Sequence, residues 1–367
     1  MSGFQRRQLL AAAGLAAPAL IAAPRAIARE RVRPADFGRL SLNESAGPPS
    51  PTVKRAITAN LDRLHRYVDQ AEVDALSRQI AKLEGVDPEQ VVLGEVLEPL
   101  GLHLAGMQPG GGEFVYSTPG YTALIDASAA VGGRGVGIPL NARLENDLPA
   151  LAAAIGDRTL AMSLVNPHNP SGTLEDKAGF DRFIGQASTR TLVVVDEAYL
   201  EYDDFAGRTA VRFTRAGANV LTFRTLAKAY GLAGLSIGYA LAPLALARSL
   251  RAAGVGGAHA QNRLALVAAA AALSDRAHLA AHVRRVRGER DRLHAALDRL
   301  GLNHTDSRAN FVFFESPRPA DIVRARLAEA GLRVGRAFPS LDAWIRITVG
   351  MPAETDAVIA ALDAIYR

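Results

Sequence analysis

The sequence predicts an α/β protein with a mostly parallel central sheet, helices on both faces, and a smaller α/β domain at the carboxyl end. Three observations carry this. Runs dominated by apolar and β-branched residues recur at 114–116, 160–165, 192–195 and 220–223, the pattern of strands buried on both faces. Helical stretches separate them, the order from which crossover connections build parallel sheets. The runs ending at 165 and 195 each give way to a polar residue, Asn166 and Asp196, at a strand's carboxyl end. Open α/β sheets hold their ligands there.

The elements follow in order. Residues 1–28 carry Arg6 and Arg7, an Ala/Leu-rich run to Ala23, and Ala26-Ile27-Ala28, a small-x-small cleavage pattern. This is the layout of a signal peptide, and the paired arginines point to twin-arginine export and a periplasmic location. Pro18 and the shortness of the apolar run argue against a permanent membrane span. Residues 29–50 form an N-terminal arm expected to pack with the carboxyl-terminal domain. Residues 51–253 form the large domain. Gly254, Gly256 and Gly257 make a flexible break, so 254–367 is assigned to the small domain. An alanine-rich run at 264–273 begins a helix leading into it, and strands at 311–314 and 345–349 precede a terminal helix.

Whole-chain properties exclude several function classes. The 367 residues contain no cysteine, which removes thiol nucleophiles, disulfides and cysteine-ligated metals. Arg6, Arg7 and Arg25 supply three of the formal +5 charges, with no acid among residues 1–28. Beyond them basic residues interleave with acids, as at 287–292, which reads as a solvated helix face and not as a nucleic-acid surface. His278 and His282 share a helix face but lack the glutamate of a zinc-protease helix. They are expected to face solvent, and no metal site is predicted.

Three segments carry the chemistry. Lys228 lies between Leu226, Ala227 and Ala229, ahead of a glycine-broken turn. Desolvation lowers an amine's pKa, and a neutral amine condenses with an aldehyde. Asp196 closes the strand at 192–195 and is followed by Glu197, Ala198 and Tyr199. Asn166-Pro167-His168-Asn169-Pro170-Ser171-Gly172-Thr173 makes a stiff turn that fixes the direction of the Asn169 amide.

N-P-x-N-P-S-G, then D-E-A-Y, then T-L-x-K-A-Y-G-L-A-G, in this order and spacing, resembles the fold-type I aminotransferases that use pyridoxal 5′-phosphate (PLP). Within them the chain is similar to the histidinol-phosphate aminotransferase-like group, from about Ser41 to the carboxyl terminus. The resemblance implies that Lys228 forms a Schiff base with PLP and moves the proton between Cα and the cofactor. It implies that Asp196 pairs with the pyridine nitrogen, that Asn169 and Tyr199 donate to the ring hydroxyl, and that Tyr121 stacks on the ring. Arg346, on a strand alternating Ile345, Ile347 and Val349 with Arg346 and Thr348, matches the arginine that takes the substrate's carboxylate. Arg336 matches a second anion-binding arginine, and Asn43 the arm residue that covers the substrate, which Asn169 also meets. Tyr67 matches a tyrosine that reaches the neighbouring subunit's cofactor phosphate, implying a homodimer with shared sites.

The chain departs from that pattern where the phosphate should sit. The backbone N–H groups of Val96 and Leu97 take the place of a Gly-Ser or Gly-Ala turn, and Glu95 brings negative charge beside them. The serine before the Schiff-base lysine is Ala227, and the arginine of G-L-A-G-L-R is Ser236. A charge-assisted hydrogen bond contributes about 1.5–3 kcal/mol, so losing that arginine weakens PLP binding by roughly one to two orders of magnitude unless it is replaced. Arg224, Thr225, Ser236 and Tyr67 remain as phosphate ligands. The expected reaction moves an amino group from an L-amino acid to a 2-oxo acid. Decarboxylation, β-elimination or racemisation at the same site, or an exported protein that only binds PLP or amino acids, are the alternatives. Export after folding suits a protein that takes up PLP before it crosses the membrane.

Overall fold

The structure, a computed structural model, describes residues 37–367. The leader and the first part of the arm lie outside the described residues. Among the described residues the strands are β1 (Arg39–Leu40), β2 (Val91–Leu93), β3 (Glu113–Thr118), β4 (Arg134–Pro139), β5 (Thr159–Val165), β6 (Leu192–Asp196), β7 (Val220–Thr225), β8 (Gly238–Leu241), β9 (Phe311–Glu315), β10 (Arg333–Val334) and β11 (Trp344–Thr348). Seven of them form one sheet in the order β2-β8-β7-β6-β5-β3-β4. Only β8 runs antiparallel to its neighbours there, so the sheet is mostly parallel, as expected.

Burial explains the centre of this sheet. Val193, Val194 and Val195 of β6 are fully buried, as are Val220 and Leu221 of β7. Each such side chain contributes about 1.5–3 kcal/mol by leaving water. Val165 of β5 pairs with Asp196 of β6, and Asp196 with Phe223 of β7. The carboxyl ends of three central strands therefore stop at nearly the same level, and the residues after them share one edge.

The carboxyl-terminal part covers that edge. β9 and β11 form an antiparallel pair, and the arm adds β1 in parallel to β10. Their core also takes in Val165, Ala198 and Tyr199 from the ends of the large sheet, with Leu40 and Ala46 from the arm. The expected packing of the arm is thus found for residues 37–50.

Three expectations need correction. The helix Arg263–Ser274 stays with the large part of the chain, burying Ala265, Ala268, Ala269 and Ala272 in the same core as Val53, Leu76 and Leu226. Its small side chains let it lie close to the helix Pro51–Thr58. The change of partner falls at Asp275 and not at Gly254: this residue caps the next helix, Arg276–Arg299, and the two helices meet at 79°. His282 does not face solvent; it is buried, with Nε2 3.3 Å from the Tyr202 hydroxyl. Nor is the 287–292 face wholly solvated, because Arg290 turns inward and donates to the Ala309 carbonyl at 2.8 Å. Among the described residues no single helix is long and apolar enough to cross a membrane, and no cluster of side chains could hold a metal ion.

Candidate active site

A cavity of about 830 Å³ opens where the strand ends meet the arm and β11. Lys228, Asp196, Tyr199, Asn169, Tyr121, Thr225, Ser236, Asn43, Arg336 and Arg346 all line it. Residues spread over three hundred positions are brought together because each follows a strand end or faces one.

The Asn169 loop is held from two sides. Within it, the Gly172 N–H donates to the His168 carbonyl at 2.7 Å and the His168 N–H to the Thr173 carbonyl at 2.9 Å. Across it, the Thr305 hydroxyl donates to the Ser171 carbonyl at 2.6 Å and the Arg308 N–H to the Gly172 carbonyl at 2.7 Å. Gly172 has φ +75°, and a Cβ there would come within 2.0 Å of Ser307 Oγ, so only glycine fits. The stiffness read from two Asn-Pro pairs therefore depends equally on a segment more than a hundred residues away. The His168 side chain, buried within the loop, is pushed down to about 3 by burial and stays neutral.

Asp196 is buried and accepts from the Ala198 N–H at 3.0 Å. Burial raises its carboxyl to about 7; the Glu95 charge adds to the rise, while Ala198 and Lys228 oppose it. Lys228 is half-buried, more open than its apolar neighbours predict, and donates from Nζ to the Leu42 carbonyl at 3.1 Å. That bond ties the lysine to the arm. Tyr121 is 49% exposed, and burial of the rest of it, with the Asp196 charge, raises its phenol to about 12.

Tyr199 joins the two halves of the site. Its oxygen accepts from Asn43 Nδ2 at 3.1 Å and from Asn169 Nδ2 at 3.4 Å, leaving its own proton free to donate. Asn43 has φ +55°, a conformation asparagine tolerates better than most residues. The Thr348 hydroxyl holds it there, accepting from the Asn43 N–H at 3.0 Å and donating to Asn43 Oδ1 at 3.1 Å. Thr348 shares a face of β11 with Arg346, so the alternation that marked Arg346 marks this partner too. Arg346 donates from Nη1 to Asn169 Oδ1 and from Nη2 to the Ser41 carbonyl, both neutral acceptors. Its guanidinium lies 5.4 Å from the Phe311 ring centre and 5.2 Å from that of Phe338, while its Nε is buried without a partner. Nothing in the sequence pattern singled out Phe338, which also carries Arg336 at 5.0 Å.

The remaining expectations concern the start of the helix Leu97–Met107. Leu97 lines the cavity, whereas the Val96 side chain is buried in the core behind it. Thr225 accepts from the Ala227 N–H at 3.1 Å and donates to Glu95 Oε1 at 2.8 Å. Ser236 sits in a left-handed conformation at φ +45°. Arg224 is not available to a ligand here: it points to the opposite face of β7 and pairs with Glu84 and Glu197, all three buried. Tyr67 does not reach the cavity of its own chain; it is 87% exposed.

Known proteins resemble the chain over nearly all of its described residues. The model of the aminotransferase class I and II family matches residues 36–362, and the chain belongs to that family. A histidinol-phosphate aminotransferase of Moorella thermoacetica is 35% identical over 339 residues, covering 90% of this chain and 86% of that protein. An aromatic amino acid aminotransferase of Rhodococcus jostii is 35% identical over 323 residues, covering 88% of each. The crystal structure of histidinol-phosphate aminotransferase from Sinorhizobium meliloti in complex with pyridoxal-5′-phosphate superposes with a TM-score of 0.79 at 29% identity, covering 89% of this chain and 90% of that one. The protein is a PLP-dependent aminotransferase of fold type I.

The residues present fit the cofactor. A lysine, a buried carboxylate, a phenol with a free proton and a half-exposed tyrosine ring surround one cavity, matching the aldehyde, the ring nitrogen, the ring hydroxyl and the ring face. At the other end Ser236 and the first turn of the helix Leu97–Met107 offer hydroxyl and N–H donors, while the Thr225 hydroxyl there is given to Glu95.

Proposed function

We propose that the cavity transaminates an L-amino acid, with Arg346 seating its carboxylate and Lys228 moving the proton. The observation that carries this is the convergence of Lys228, Asp196, Tyr199, Asn169 and Arg346 on one cavity. When bound, PLP supplies an aldehyde that takes up the amino group and a ring that spreads the charge left on Cα. Lys228 Nζ would hold the aldehyde carbon of the bound cofactor, and the same amine, when free, would move the proton from the substrate Cα. Asp196 holds a proton against the ring nitrogen, and a carboxyl raised to about 7 shares that proton readily near neutral pH. Tyr199 and Asn169 donate to the ring hydroxyl, and Tyr121 covers the ring face. Val96 and Leu97 N–H groups and the Ser236 hydroxyl hold the phosphate, and the Thr225 hydroxyl joins them only on leaving Glu95. Asn43 and the arm cover the substrate and exclude water, and Arg336 offers a second cation to an anionic side chain.

The enzyme is further proposed to act as a homodimer with shared sites. Leu61, Leu64 and Tyr67 stand exposed on one short segment, which supports a partner surface there. The arginine pair and cleavage pattern of residues 1–28 support export to the periplasm, which cell fractionation tests.

PLP-loaded protein given a panel of L-amino acids should yield the matching 2-oxo acids and pyridoxamine phosphate. Lys228→Ala should lose the visible absorbance of lysine-bound PLP and all turnover. Retained absorbance would remove Lys228 from its role, and release of carbon dioxide or ammonia would replace transamination with another reaction. Mixing Lys228→Ala with Tyr67→Ala subunits should restore a fraction of the activity if Tyr67 serves its partner.

A further inference from the structure

The reading of the cavity as a PLP site leaves one residue without a role. Glu95 lines the end that receives the phosphate, and its Oε1 takes the Thr225 hydroxyl that would otherwise bind it. The cations lining the cavity are Lys228, Arg336 and Arg346. Lys228 is committed to the aldehyde, and the two arginines belong to the β10–β11 side of the cavity. Arg224, next to Thr225 in sequence, spends its charge on Glu84 and Glu197 behind the sheet. A phosphate dianion would therefore meet a carboxylate with no arginine to offset it.

We propose that Glu95 is the specificity-determining residue of this end, admitting the cofactor phosphate only together with one proton, which the Glu95 carboxyl then donates to a phosphate oxygen. This rests on the PLP reading above. Four titratable groups share Glu95's surroundings. Glu98 opposes its ionisation, Lys228 favours it, and Asp196 and Tyr121 are themselves raised by its charge. Burial outweighs the Thr225 bond and pushes the Glu95 carboxyl above the usual range before any phosphate arrives. A bound phosphate raises it further. Between the free and the bound value PLP binding takes up a proton, so affinity falls as pH rises; below the free value this contribution vanishes.

The test compares wild type with Glu95→Gln, which keeps the shape and donates without titrating. PLP binding is followed by visible absorbance, and proton uptake by calorimetry in buffers of different ionisation heat. Wild-type affinity should lose about tenfold per pH unit relative to Glu95→Gln, with one more proton taken up. Pyridoxal, which has no phosphate, should show no such difference between the two proteins. Equal slopes and equal proton uptake for PLP would overturn the proposal, as would the same difference with pyridoxal. Should Glu95→Gln fail to fold, the wild type alone decides, by whether PLP takes up one proton more than pyridoxal. Failure of both proteins to bind PLP at any pH would overturn the cofactor reading instead.

Discussion

Two buried arginines stand on different sides of the large sheet, and they are held in opposite ways. Arg224 meets Glu197 through Nε at 3.1 Å, Glu84 through Nη1 at 2.5 Å and the Thr209 hydroxyl through Nη2 at 2.7 Å, with the Phe205 ring centre 4.1 Å away. Tyr239 completes the cluster by donating to Glu84 at 2.8 Å. Arg346 has only neutral acceptors, Asn169 Oδ1 and the Ser41 carbonyl, and makes no ion pair among the described residues. Taking a guanidinium out of water is costly unless an anion compensates. A buried arginine with its anions already supplied by the fold is a structural tie; Arg346 lacks them and faces the cavity, which supports the proposed role of taking an anion from outside.

That contrast can be broken by substitution. Arg224→Ala should have the largest effect, leaving two buried carboxylates without their cation and costing about 3–5 kcal/mol of stability. A denaturant titration reads this, and an unchanged midpoint would show that the cluster holds nothing. Arg346→Ala should lower kcat/KM by roughly two orders of magnitude, about 3 kcal/mol, mainly through KM. Its thermal midpoint should stay level or rise, because an uncompensated buried charge is removed. A large loss of stability with unaltered KM would place Arg346 in the same class as Arg224. Phe205→Leu should have the smallest effect, about 1–2 kcal/mol of stability with kinetics unchanged, since the ring lies against the structural arginine and does not line the cavity.

The same pair shows where sequence reading succeeds and where it stops. By sequence Arg224 and its neighbour Thr225 are both expected to hold phosphate. The two-residue period of a strand places them on opposite faces, and Phe223 and Thr225 face the cavity while Arg224 faces away. That signal was present and unused. Glu84 as its partner was not readable, since nothing local links a helix end to a strand 140 residues later. Strands β2, β4 and β8 and the helix boundary at Asp275 are likewise not legible in the sequence. Their apolar runs are brief or broken by glycine, and their place is decided by neighbours. Glu95 is visible in the sequence as an unwelcome charge, but its bond to Thr225 exists only because folding brings the end of β7 to the turn after β2, 130 residues apart in the chain.

By itself, the sequence determined the central strands, their mostly parallel arrangement, and the order of Asn169, Asp196, Lys228 and Arg346 along the chain. Those properties reside in short runs and spacings, where local periodicity and side-chain chemistry act over a few residues. Only the tertiary structure decided which charges are already neutralised. It set Glu84 and Glu197 on Arg224, left Arg346 without an anion, and turned Glu95 into the cavity beside Thr225. Charge compensation depends on distances between segments far apart in the chain, and folding alone sets those distances.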